Sequence, residues 1–234
     1  MISEHLRDLA AMSLFSHVHA ETEMTALTLD SQWQVDLDNA TVTFIKDSET
    51  FTYPVQLIGS IAQSAGTWMW GWQSSHEDRL PGKALQLAKL VHDRGVSLDI
   101  PELKTPVITL SDTPSLVLRL AAEALGGGFH TLTVDAGRGL TLLFAVDMGP
   151  LRPLSGQELV DVTMQGADLG VTENHLDALE CYARHVGLDY SVTSHDPLTA
   201  AIGSQAGGIE IETDESGRLV SLREQPVKVQ RRAS

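Results

Sequence analysis

The chain has 234 residues, 42% of them hydrophobic and 20% charged, with a single cysteine and a formal charge of −15. That length suits one large domain or two small ones with a sizeable core, and the lone Cys181 excludes an intrachain disulfide and points to a reducing, cytoplasmic setting. The acidic balance disfavours nucleic acid and suits a basic protein partner, and no run approaches the roughly 18 apolar residues of a membrane helix.

The N-terminus lacks the basic start and apolar run of a secretory signal. Residues 3–20 predict a first helix, with Ser3 as cap and Leu6, Leu9, Leu14 and Val18 at helical spacing. Residues 31–46 alternate. Trp33, Val35 and Leu37 share one face and Gln34, Asp36 and Asp38 the other, until Asn39 interrupts. The segments 53–62 and 66–73 follow as strands, separated by Ser64, Ala65 and Gly66. Pro81 and Gly95 bracket a helix over 80–95, and a Pro-punctuated connector runs from Pro101 to Pro106. Thr113 and Pro114 open another helix, which the three glycines at 126–128 end.

The second half repeats this order. Residues 129–135 and 139–147 read as strands, and Ser155 with Glu158 forms a capping box for a helix closing near Gly170. Thr172 caps a further helix ending at Gly187. Strands at 189–194, 207–214 and 217–224 finish the chain, the last two joined by an Asp-Glu-Ser-Gly turn. The segments around 66–96 and 139–171 align as a weak internal duplication. The expected fold is α+β, with antiparallel meander sheets and packed helices in two halves, 1–105 and 106–228. The basic residues 229–234 form a disordered tail.

Three of the four tryptophans, Trp68, Trp70 and Trp72, fall at alternate positions. On a strand they form a row ~14 Å long on one face. Facing inward, the row is a core that binds sheet to helices, and Gly71 lets a neighbouring backbone or helix approach closely. Facing outward, it is a stacking platform. Trp72, Gln73, His76 and Asp36 then line a small-molecule site beside it.

The stretches 33–44, 55–60 and 66–72 resemble an actinobacterial family classed as a domain of unknown function. Its members share a Trp-x-x-Asp strand, a Val-Gln-Leu-(Leu/Ile)-Gly strand and a Gly-Thr-Trp-(aliphatic)-Trp segment. The resemblance spans roughly residues 31–105 and implies no activity, cofactor or catalytic residue.

Other constellations are thin. Cys181 and His185 stand four apart on a helix, with His175 upstream, which suits zinc or a thiolate–imidazole dyad, but also a core cysteine beside a helix-terminal histidine. His17 and His19 diverge on a helix. Asp36 and Asp38 suit paired carboxylates or a solvated face. The Ser-His-Asp run at 194–196 precedes Pro197 and reads as a turn. The glycines at 126–128 follow a helix rather than open one, so they present no helix N-terminus to phosphate. The sequence therefore favours a non-catalytic, cytoplasmic binding protein with an acidic surface, no catalytic residue, no metal and no cofactor. The rival reading is a small-molecule binder or enzyme beside the tryptophan row.

Overall fold

A computed structural model describes residues 2–29, 31–73, 80–204 and 207–225. The chain divides into two units, one of residues 1–10 and 20–149 and one of residues 11–19 and 150–234. Both are α+β, and each is built on an antiparallel meander. Helix α1 (Glu4–Leu29) contributes to both units and runs well past its expected end at residue 20. The polar stretch there is not a terminus. Glu21 accepts from Arg119 Nη1 at 2.9 Å, and Glu23 pairs with the buried His130 at 2.8 Å. No helix among the described residues is long and apolar enough to cross a membrane.

The first unit holds a seven-stranded sheet. Strands β1 (Gln32–Asp36), β2 (Thr41–Lys46), β3 (Glu49–Ala62), β4 (Thr67–Trp70) and β5 (Val107–Thr109) lie side by side in chain order. β7 (Leu140–Val146) pairs with β3, and β6 (His130–Asp135) pairs with β7. The 14-residue β3 is the spine: its first part pairs with β2, and its second part with β4 and β7.

A bulge interrupts β3. Leu57 opposes Phe144, but Gly59 opposes Leu143, so Ile58 is an extra residue. Before it, Val55 and Leu57 join Val42, Phe44, Phe144, Val146 and Met24 of α1 in one buried cluster. Beyond it the alternation reverses, and Gly59 and Ile61 share the other face with their partners Trp70 and Trp68.

A 3-10 turn (Gly82–Ala84) leads into α2 (Gln86–Ser97), which packs on β3, on α3 (Pro101–Lys104) and on α4 (Ser115–Gly126). Pro81 caps that turn rather than opening the helix, and Gly95 lies inside the helix rather than closing it. Leu103 Cβ fills the space a side chain at Gly95 would need, so this glycine serves a close approach of α3. Thr113 is buried and caps nothing; Pro114 occupies the N-cap position of α4. Gly127, at φ +88°, closes that helix as expected.

The second unit carries α5 (Gly156–Asp168), α6 (His175–Val186) and a four-stranded sheet. Its strands β8 (Asp189–His195), β9 (Leu198–Ser204), β10 (Gly207–Thr213) and β11 (Leu219–Gln225) again lie in chain order. The capping box of Ser155 and Glu158 is present on α5. The cap of α6 is Asn174, not Thr172; its side chain accepts from Asp177 N, and Thr172 Oγ1 accepts from Asn174 N instead. Phe15 packs where a side chain on Gly166 would stand, 2.5 Å from its ring, and meets Tyr182 at a tilt of 56°, centroids 6.5 Å apart.

The expected boundary at 105–113 moves. β5 pairs with β4 across it, and residues 106–149 go with the first unit. The segments aligned as a duplication do not occupy equivalent places: β4 and β7 both belong to the first sheet, on either side of β3. Residues 229–234, expected as a tail, lie outside the described residues.

Candidate functional site

Trp68 and Trp70 are both fully buried, with ring centroids 5.1 Å apart and planes at 75°. That edge-to-face arrangement belongs to a core. The Trp68 indole occupies the space over Gly59, where an added Cβ would meet Trp68 Cζ2 at 2.6 Å. Trp70 Nε1 donates to the Glu102 carbonyl at 3.0 Å, which ties β4 to α3. Two members of the row thus form the inward floor, and no open platform exists there.

Trp72 is not on the strand. β4 ends at Trp70, the Gly71 N–H turns to Ile58 O at 2.8 Å, and the Gln73 N–H closes back on Trp70 O at 3.1 Å. Gly71 does what the sequence suggested, since Leu57 O and Ala88 of α2 crowd the place of its missing side chain. The Trp72 ring lies on His92 of α2, centroids 4.4 Å apart, and its buried Nε1–H finds no acceptor among the described residues.

Of the other expected lining residues, Gln73 is half-buried beside Trp72, and His76 lies outside the described residues. Asp36 is the last residue of β1, paired with Thr41 at the mouth of the turn into β2. Its two carboxylate oxygens accept from Asn39 N at 2.9 Å and Asn39 Nδ2 at 2.8 Å. Those bonds, with a smaller contribution from Lys83, hold the Asp36 carboxyl below its ordinary range. Asp36 is engaged in shaping a turn, and no described contact joins it to Trp72.

The thiol constellation separates as well. Burial pushes the Cys181 thiol up, away from the thiolate a nucleophile or zinc ligand needs. His185 is exposed, and His175 is engaged elsewhere, its Nδ1 accepting the Leu219 N–H at 3.0 Å. Burial and the nearby Arg218 hold His175 below its ordinary value, which favours the neutral ring that this bond requires. Among the described residues no group of three His, Cys, Asp or Glu side chains is placed to hold a metal.

The second unit carries a groove of about 630 Å³ between the end of α5, the start of α6 and β11. Met164 and Asp168 of α5, Glu173, His175 and Arg218 line it, together with Leu219, Val220, Ser221 and Leu222 in unbroken succession. Alternate side chains of a strand point to opposite faces. That alternation breaks at Val220, where Leu219 opposes Thr213 but Ser221 opposes Glu212, and the concavity meets four consecutive residues around this bulge.

Among the described residues β11 has one neighbour, β10, and none of its residues is fully buried. Beyond β10, its backbone makes no main-chain hydrogen bond among the described residues. Val220 is 62% exposed and Met164 46%. Arg218 is engaged with Glu173 at 2.7 Å, which leaves Asp168 as the groove's uncompensated charge among the described residues. The sequence announced this strand and its hairpin, but edge position depends on strand order, which no residue pattern carries.

A smaller cavity of about 200 Å³ in the first unit touches Gln56, Leu87, Phe129 and Asp147. It falls below the usual range for ligand pockets, and Gln56 Oε1 already accepts the Leu87 N–H at 2.7 Å. Residues 7–147 match a family model described as a family of unknown function (DUF6882). No curated protein and no solved structure matches the chain.

Proposed function

The chain belongs to the DUF6882 family, whose function is unknown, and we propose that it is a non-catalytic binding protein for a basic protein partner. The groove along β11 carries this reading: an apolar lip of Met164 and Val220 beside an exposed strand edge suits a polypeptide. Charge supports it. Residues 150–225 contain thirteen Asp and Glu against four Lys and Arg, a field that speeds encounter with a cation-rich surface. The single cysteine suits a reducing compartment such as the cytoplasm.

The test is capture of cationic proteins by the purified chain at low and high salt. Screening shortens the Debye length from ~10 Å at 0.1 M to ~3 Å at 1 M. Partners are expected to be held at low salt and released at high salt. A partner retained equally at both salts removes the electrostatic argument.

A second reading rests on the Trp72 indole, whose buried N–H lacks an acceptor among the described residues. There a small molecule with a hydrogen-bond acceptor docks beside Trp72 and Gln73. Trp72→Phe keeps an aromatic ring and removes the donor, so ligand affinity falls while stability holds.

A further inference from the structure

Resting on that reading, we infer that the groove receives its partner as an added strand on β11: an extended segment that alternates cationic and apolar residues. The edge supplies the backbone half of this recognition, since β11 is hydrogen-bonded on one side only among the described residues. A free edge of this kind pairs with any extended chain that reaches it. His175 fixes one end. By capping the Leu219 N–H it closes the first position of the edge and leaves the stretch after Leu219 to pair. Past the bulge at Val220, the regular stretch Ser221–Gln225 spans ~17 Å, the length of a five-residue strand.

From Ser221 onward, past the bulge at Val220, the two faces of β11 set the alternation. On one face Ser221 opposes Glu212 and Arg223 opposes Glu210, and Ser221 Oγ donates to Glu212 at 3.1 Å. Strands lie ~4.8 Å apart, so a residue added opposite Ser221 stands ~10 Å from the Glu212 backbone. A lysine spans that distance across the small serine. On the other face Leu222 opposes the buried Ile211, and Met164 of α5 stands at the groove, so apolar side chains fit there.

The probe is a labelled six-residue peptide of alternating lysine and valine, followed by fluorescence anisotropy at low salt. Two derivatives are compared with it, one N-methylated at the lysines and one at the valines. N–H groups alternate between the edges of a strand, so one derivative loses its bonds to β11 and the other keeps them. The expected result is binding of the parent, at least tenfold weaker binding of one derivative, and nearly unchanged binding of the other. Glu212→Gln weakens the parent several-fold, and Val220→Lys abolishes binding with an unchanged thermal melt. Equal binding of both derivatives, or equal loss in both, overturns strand addition. If the parent fails while polylysine binds, strand addition falls and the basic-partner reading survives. If polylysine fails too, both fall.

Discussion

β4 and β11 are both short strands of antiparallel meanders, and they meet opposite fates. β4 is flanked by β3 and β5, and its two indoles are sealed inside. β11 has one neighbour among the described residues, and its unremarkable sequence borders the groove from Leu219 to Leu222. By composition alone β4 resembles a binding surface and β11 resembles filler. Position in the sheet decides the reverse, because a strand with two neighbours has no backbone left to offer.

The largest expected effect tests the sealed side of that contrast. Trp70→Ala removes a fully buried indole and its bond to Glu102 O, for a loss of about 3–5 kcal/mol by urea unfolding. Trp72→Ala, on the half-buried turn, costs clearly less; equal losses would make the three tryptophans one structural class after all. Gly59→Ala comes next. Its new Cβ meets Trp68 Cζ2 and Met69 O at 2.6 and 2.7 Å, so overpacking of about 1–3 kcal/mol is expected.

The capping box of the second unit gives a smaller effect. Ser155→Ala lowers stability by about 1 kcal/mol. Arg152, then the Ser155 backbone and hydroxyl, hold the Glu158 carboxyl down at about 2 from 4.5. A depressed carboxyl stabilises the fold above its unfolded value and loses that contribution as pH falls toward its folded one. The stability difference between wild type and Glu158→Gln is therefore flat above about pH 5 and closes between 4.5 and 2 in a series of denaturant melts. The smallest change is at the open edge. Val220→Lys alters stability by less than about 0.5 kcal/mol, because the side chain is largely in solvent.

Much of this architecture was legible in the residues. Alternation located β1 and β2, Gly127 and Gly187 closed their helices, and Asp214 shapes the last hairpin by accepting from Ser216 N and Arg218 N. What escaped depends on distant partners. β5 is a three-residue strand that exists because β4 is there to pair with it. β9, made largely of small residues from Thr199 to Ser204, carries a weak apolar pattern of its own and sits between two strands. α1 looked finished at Glu21 because its carboxylates find Arg119 and His130 only in the folded unit. The site residues fared similarly. Asp36 carried the right chemistry, but Asn39 three positions on takes it. The groove escaped because an edge belongs to strand order.

The extra residue at Ile58 makes the length of β3 a coded quantity. Were Ile58 drawn into the ladder as an ordinary paired residue, Gly59 through Ala62 would swing to the wrong side, setting the glycine that clears room for Trp68 against the opposite layer. One codon inserted into this strand, or lost from it anywhere but Ile58, would therefore scramble one of its two interior layers, whereas the same change in the turn at 63–66 would merely resize a loop.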